Sequence, residues 1–303
     1  MLGLLVVDKP AGLTSHDVVA RVRRAAGIKR VGHTGTLDPF ATGVLVVCVG
    51  VATRLARYLE ADRKRYLARV RLGASTTTYD CEGEVVDRGP VSVTRAELER
   101  ALTAFRGPIH QVPPMFSAKS VGGVRLHALA RRGVEVARAP VAIHIDTLEL
   151  LSLEDDGFDL DIACSKGTYV RALAHDLGRA LGTHAHLAAL DRTGCGVFTK
   201  ADATPLADLV DRPAVERHLR SPLDGMPTMP RRELDARLAA DFRQGKAVRP
   251  GARGADLAPG AAVAALVAAT DALIGIGRVR DDGALAPETV LATPVPSRLT
   301  DVS

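Results

Sequence analysis

Two rhythms of apolar and polar residues run along this chain, one at helical and one at strand spacing, and their order predicts most of its elements. Residues 4–7 are a short apolar run closed by Asp8, Lys9, Pro10, Ala11 and Gly12, which predicts a strand running into a turn. Val18, Val19, Val22 and Ala26 fall on one helical face, and Ser15 ahead of them can cap the first turn. A loop rich in Gly and Thr spans residues 32–43 and leads into a buried strand at 44–49. Residues 66–72 alternate apolar with basic side chains, the pattern of a half-exposed strand. Thr94, with Glu97 three places on, forms the capping box of a helix expected to reach residue 105. Residues 107–123 are rich in Gly, Pro and Ser, and a patternless stretch of that length predicts a long mobile loop. Strands at 141–153 and 158–164 should pair antiparallel around an acidic turn, and Ser165-Lys166-Gly167-Thr168 then feeds a helix over 169–181.

Strands and helices do not alternate regularly, so the pattern predicts an α+β fold rather than a doubly wound α/β one. Pro222, Pro227 and Pro230 punctuate a linker over residues 221–232. Beyond it, strand-like runs at 263–267, 273–279 and 289–291 predict a compact β-barrel. The Ala-rich stretch 261–269 is ambiguous, because Ala disfavours strands. The expected organisation is a large domain over 1–225, with a mobile insertion near 107–140, and a small domain over 230–303. The sequence shows no internal repeat.

Composition narrows the class without deciding it. The 303 residues are 47% hydrophobic and 25% charged, ordinary for a soluble globular protein. A net charge of +5 and a pI near 9.2 lean towards an acidic partner, but the distribution says more. Arg21, Arg23, Arg24, Lys29 and Arg30 cluster with no acid among them. A second cluster holds Arg54, Arg57, Arg63, Lys64, Arg65, Arg69 and Arg71, and a third Lys119, Arg125, Arg131, Arg132 and Arg138. Acids gather instead at Glu154, Asp155, Asp156, Asp159 and Asp161. That segregation suits a polyanion-binding face, since each neutralised phosphate releases condensed counterions; solvated helix faces would look the same. Cys48, Cys81, Cys164 and Cys195 are scattered, which argues against zinc and against a disulfide framework. The apolar start is too short for a signal peptide and no run is long enough to span a bilayer, so a cytoplasmic protein is expected.

Three stretches carry candidate chemistry. In GHTGTLDPFATG (32–43) the glycines and threonines make a tight polar loop that lets a nucleic-acid backbone come close. Asp38 there is either a catalytic carboxylate or the cap of a turn before Pro39, and His33 is either a hydrogen-bonding wedge or a routine loop histidine. Tyr66, framed by Arg63, Lys64 and Arg65, either stacks on a base, worth roughly 1–3 kcal/mol, or belongs to the core. In SKGTYVRALAHDLG (165–178), Tyr169 and Arg171 stand at the mouth of a helix. Arg171 either pairs with a distant carboxylate, holding it ionised by lowering its pKa, or lies on the surface.

Together LLVVDKPAGLTSHD, VGHTGTLDPFATGVL, KRYLARVRLG and CSKGTYVRALAHDLG, in this order and spacing, resemble the TruB family of tRNA pseudouridine synthases over nearly the whole chain. FRQGKAV, then ALIGIGRVRDDGALAPETV, resembles the PUA RNA-binding module that follows the catalytic domain in that family. The resemblance implies the pseudouridine synthase fold over 1–225, a mixed, largely antiparallel sheet flanked by helices and loops, and a PUA-like β-barrel over 230–303. It implies isomerisation of uridine 55 in the T loop of tRNA to pseudouridine, with no guide RNA, metal or cofactor. By the same resemblance Asp38 is the catalytic residue, His33 occupies the space left by the extruded nucleotide, and Tyr66 stacks on the flipped uracil. Tyr169 and Arg171 bind substrate, Arg171 pairing with Asp38, and Leu190 lines the uracil pocket.

Lys9, Arg63, Lys64, Arg65, Lys119 and Arg125 are the candidate RNA-backbone contacts. Asp191-Arg192 departs from the two basic residues common in family members, which would weaken a phosphate contact at the rim. Tyr66 is a candidate base for the final C5 proton, although a phenol with a pKa near 10 makes a poor one. The partner is expected to be the tRNA T-arm and the protein a monomer. Two alternatives stand beside this reading. One is an RNA-folding protein using the same pocket; the other is the guide-RNA-dependent relative inside a ribonucleoprotein, whose long basic extensions are not seen in this sequence.

Overall fold

The first apolar run forms strand β1 (Gly3–Lys9), buried along nearly its whole length, as its unbroken hydrophobicity requires. The structure, a computed structural model, describes residues 1–60, 63–117, 120–121, 124–130, 132–134, 136–249 and 257–295. Helix α1 (Ser15–Ala26) follows and turns Val18, Val19, Val22 and Ala26 into the core. Its cap is Thr14 rather than Ser15: the Thr14 hydroxyl accepts from the Asp17 N–H, and the Asp17 carboxylate accepts from the Thr14 N–H. Ser15 is buried instead under the next loop, donating to the Leu37 carbonyl at 3.0 Å and accepting from the Leu37 N–H at 2.9 Å. Strands β2 (Val31–His33) and β3 (Thr42–Val49) bracket that loop.

Helix α2 (Ala56–Leu59) leads to β4 (Arg63–Leu72), whose even-numbered residues point inward and odd-numbered ones outward. Strands β5 (Ala74–Thr76) and β6 (Val85–Arg88) pair, and α3 (Arg95–Ala104) starts on the capping box of Thr94 and Glu97. Gly107–Gln111 is strand β7, paired with residues 141–145, so the start of the expected mobile loop is the edge of a sheet. Strands β8 (Ser120–Val121) and β9 (Val124–Arg125) and helix α4 (Leu126–Ala130) come next. Strands β10 (Val141–Glu154) and β11 (Gly157–Ser165) make the predicted antiparallel pair, followed by α5 (Val170–Ala180) and β12 (Ala185–Cys195). Strands β13 (Phe198–Thr199) and β14 (Thr204–Pro205) and helix α6 (Arg212–Arg217) complete the large unit.

Ten of these strands form one mixed sheet in the order β14-β1-β3-β12-β4-β11-β10-β7, with β2 added to β3 and β13 to β12, while β5–β6 and β8–β9 are separate two-stranded pairs. Only β1–β14 and β12–β3 pair in parallel among its described neighbours, which is the α+β arrangement expected. Helices α3 and α5 pack on Phe158, Leu160 and Ile162 across one half, while α1 and α6 pack on Leu45 and Val47 across the other. No helix among the described residues is long and apolar enough to cross a membrane.

Past the prolines, β15 (Arg231–Leu234), α7 (Ala236–Arg243), β16 (Ala262–Val267), β17 (Ala272–Val279) and β18 (Leu285–Val295) build a second sheet of four strands in chain order. The Ala-rich stretch is strand β16. Its small side chains serve two cores: Ala265 packs with Phe242 of α7, and Ala264 packs with Leu4, Val46 and Phe198 of the large unit. Arg54 donates to the Val290 carbonyl at 2.6 Å and Arg57 pairs with Glu288 at 3.1 Å across the same seam.

Candidate active site

The loop between β2 and β3 carries Asp38, and three buried side chains hold it by its main chain. Ser15 takes Leu37 on both sides. Lys9, fully buried at the end of β1, donates from Nζ to the carbonyls of Pro10 at 2.9 Å, Leu13 at 2.7 Å and Pro39 at 3.0 Å. Arg192 of β12, 1% exposed, donates from Nε to Val44 at 2.7 Å, from Nη1 to Thr36 at 3.1 Å and from Nη2 to Gly35 at 3.3 Å, all to carbonyls. Two expectations are corrected by this. Lys9 is not an RNA-backbone contact: three carbonyls use its three N–H groups, and burial lowers its pKa only to about 8, leaving an ammonium at neutral pH. Position 192 is not at the rim either; the neighbouring Asp191 carboxylate accepts from Thr42 at 2.7 Å and from Lys200 at 2.6 Å.

Asp38 meets Arg171, in the first turn of α5, as a fork. Nη2 donates to Oδ1 at 3.2 Å and Nε faces Oδ2 at 3.0 Å; the arginine side chain is 6% exposed and the aspartate 31%. The rest of the guanidinium is committed to the Thr78 carbonyl at 3.0 Å, the Phe116 carbonyl at 2.9 Å and Asp80 Oδ2 at 3.2 Å. Asp80 escaped the sequence reading. It is 3% exposed and accepts from the Thr78 hydroxyl at 2.5 Å and the Glu82 N–H at 3.0 Å. The preceding Tyr79, at φ 63, makes the turn that aims it, and its ring stacks on His175 at 4.0 Å. Burial pushes the Asp38 carboxyl above the ordinary carboxylate value; Arg171 pulls it down and Asp80 adds to the push. The lowering expected from Arg171 is therefore present but outweighed. A carboxylate so raised, fixed by a fork and open on one side, is a better base and nucleophile than a free one.

Tyr66 and Leu190 are 6% and 7% exposed and lie on the inner faces of adjacent strands, where Tyr66 is opposite Arg192 and Leu190 opposite Ala68. Leu37 and Val170, the chain neighbours of Asp38 and Arg171, belong to the same apolar cluster as these two. Burial pushes the Tyr66 hydroxyl up to about 12, with Arg192 working against it. At neutral pH it is a phenol, which makes it a still poorer base for the C5 proton. Tyr169 ends the turn into α5, and the Gln111 amide clamps its main chain, accepting from its N–H at 2.8 Å and donating to its carbonyl at 3.0 Å. Gln111 was hidden in the stretch read as loop. The His33 ring is half-buried and edge-on to His16 at 5.7 Å, and its Nδ1 is buried without a partner among the described residues. Burial, then the charges of His16 and Arg192, lowers its pKa and keeps it neutral.

The basic residues around Tyr66 divide by strand parity. Arg63 and Arg65 face outward and pair with Asp146 and Asp161, while Arg69 holds Glu154, Asp156 and Asp159 and Arg71 holds Asp156. Because β4 lies beside β11, the basic and acidic segments that are apart in sequence neutralise each other in space. The polyanion face expected of the second cluster is thus largely spent on ion pairs. Lys64 differs. It is half-buried on the inner side beside Gly35, its pKa lowered by burial and then by Arg192, and it has no hydrogen bond or ion pair among the described residues. Lys119 and the side chain of Arg125 lie outside the described residues.

Gly43 is not there for nucleic acid. At φ 100, a Cβ would lie 2.3 Å from the Arg192 carbonyl oxygen and 2.7 Å from Asp191 Oδ1. Its bare Cα lets β12 seat against β3. Gly43→Ala should therefore lower stability by about 3 kcal/mol or more, read by denaturant unfolding, because strain and a backbone clash add. Gly12→Ala, at φ 80 with open space around it, should cost only about 1–2 kcal/mol. Equal effects would deny the close approach.

Residues 23–170 match the N-terminal domain of TruB family pseudouridylate synthases, residues 171–228 the tRNA pseudouridylate synthase B C-terminal domain, and residues 230–291 the C-terminal domain of pseudouridine synthase II TruB. The chain is 50% identical over 249 residues to a tRNA pseudouridine synthase B of Symbiobacterium thermophilum, spanning 81% of this chain and 82% of that one. It is 42% identical over 298 residues to a tRNA pseudouridine synthase B of Stutzerimonas stutzeri, spanning 95% of each. Among solved structures it is similar to a chain of a Cbf5-Nop10-Gar1 complex, with a TM-score of 0.72 at 25% identity, covering 95% of this chain and 84% of that one.

Proposed function

The chain belongs to the TruB family of pseudouridine synthases, and we propose that it isomerises uridine 55 in the T loop of tRNA, acting alone and with Asp38 as the catalytic carboxylate. The observation that carries this reading is the Asp38–Arg171 fork set against the cluster that holds Tyr66 and Leu190. Isomerisation breaks N1–C1′, turns the uracil and joins C5 to C1′; C5 loses a proton and N1 gains one, so the change is redox-neutral. None of this is possible inside a stacked loop. Extruding the base costs a few kcal/mol, and a stack on Tyr66 of about 1–3 kcal/mol offsets much of it. The neutral His33 fills the space the nucleotide leaves. Asp38 then attacks C1′ or C6, or takes the C2′ proton; each route needs the ionised carboxylate.

In this reading residues 1–225 are the catalytic domain, with its RNA-binding insertion near 107–140, and 230–303 a PUA-like second contact with the tRNA. The shared core of the two units supports their acting as one body. A tRNA transcript with cytidine in place of that uridine should bind as well as the normal one and yield no pseudouridine. Product at another uridine would refute the assigned position. Single-turnover rates should fall on acidification with a midpoint above the ordinary Asp value of 3.8, because burial raises Asp38. Rates that stay flat to about pH 4 would contradict that.

Lys64 is the inner cation proposed to meet the RNA backbone. Lys64→Gln should weaken tRNA binding and reduce the slope of log K against log salt by about 0.9, one phosphate's worth. Arg65→Gln should leave that slope unchanged, since Asp161 already holds Arg65. The reverse outcome would exchange their roles.

A further inference from the structure

Arg192 is 1% exposed, and among the described residues it pairs with no carboxylate. Desolvating a guanidinium is costly, and a strand that only had to pack would carry an apolar side chain there. Its N–H groups go instead to carbonyls at both ends of the Asp38 loop: Gly35 and Thr36 before the aspartate, Val44 after it. We propose that Arg192 is a positioning residue for the reaction, tying residues 35–44 into the single shape in which Asp38 sits in the Arg171 fork. This rests on the function proposed above.

Independent features of the fold point the same way. Arg192 and Gly43 are direct partners where β12 and β3 run parallel, and the missing Cβ of Gly43 is what allows the approach. The adjacent Asp191 takes the Thr42 hydroxyl, so two successive residues of β12 grip the end of the loop. Ser15 and Lys9 hold Leu37 and Pro39, the residues on either side of Asp38. The main chain is thus fixed around Asp38, and the Asp38 side chain is left to meet Arg171 and substrate. A lysine cannot replace this arginine: the carbonyls of Val44, Thr36 and Gly35 are met by three different guanidinium nitrogens, Nε, Nη1 and Nη2, whereas the carbonyls around Lys9 converge on one nitrogen.

The test compares Arg192→Lys with the unaltered protein in single-turnover pseudouridine formation and in tRNA binding. The rate should fall by about 100-fold, the scale of a misplacement near 1 Å, with affinity changed less than about threefold and an unfolding midpoint close to normal. Arg192→Met should in addition move the acidic limb of the rate profile to higher pH, since the cation favours ionised Asp38. Ser15→Ala releases the same loop at Leu37 without touching a charge and serves if the Arg192 variants do not fold; it should show the same split between rate and affinity. A normal rate in Arg192→Lys, or in Ser15→Ala, overturns the inference. Equal losses of rate and affinity overturn it too, by making Arg192 an RNA anchor. If the unaltered protein forms no pseudouridine, the function itself fails, and the two failures are thereby distinguished.

Discussion

Asp38→Asn should abolish pseudouridine formation, lowering the single-turnover rate by roughly 10⁴-fold or more while tRNA affinity stays within about threefold. Asparagine keeps the shape and still offers Oδ1 to Arg171, so the loop tied by Ser15, Lys9 and Arg192 has no reason to move. What is lost is the negative oxygen that every route to the product needs. Stability should move in the opposite sense to activity. The folded state raises the Asp38 pKa, so it binds that proton more tightly than the unfolded chain does. Above the raised value the ionised group costs stability, and below the unfolded value that cost is gone. At neutral pH the asparagine variant should therefore melt no lower than the original protein. Retained turnover would remove Asp38 from the chemistry.

Arg171→Ala carries the second largest effect. It leaves Asp38 and Asp80 facing each other without the cation between them, so loss of turnover, of order 10³-fold, should come with destabilisation of about 3–5 kcal/mol. Arg171 is the main influence holding the Asp38 pKa down, so the residual rate should recover partly at higher pH. Arg171→Lys keeps the charge and much of the stability but loses the fork, and should still be slow. Affinity for tRNA should change far less than rate in both variants. Parallel losses would make Arg171 an RNA contact instead.

Local and periodic signals were legible in the sequence. The apolar face of α1, the capping box of α3 and the antiparallel β10–β11 pair each depend on residues close together in the chain. The Asp38–Arg171 pair was legible only through family resemblance, since nothing near Asp38 distinguishes it from a turn residue. Contacts across the sheet were not legible. Arg69 and Asp159 look like members of opposed charge clusters until β4 and β11 are laid side by side. Lys9 and Arg192 read as surface cations because a buried charge satisfied by carbonyls leaves no trace in composition. Ser15 and Thr14 are both competent caps, and the choice was made by a third party, the Leu37 main chain. Residues 107–111 lack strand rhythm because they form an edge whose pairing is supplied by β10. Asp80 and Gln111 were missed for the same reason: their importance lies in Arg171 and Tyr169, far along the chain.

The most direct test of the central claim is nucleotide-resolution mapping of pseudouridine in an unmodified tRNA transcript incubated with the purified protein alone. The account predicts complete conversion at one position, uridine 55 of the T loop, and none when Asp38→Asn replaces the original protein. Absence of product without an added guide RNA or partner protein, or conversion by the Asp38→Asn variant, would contradict it.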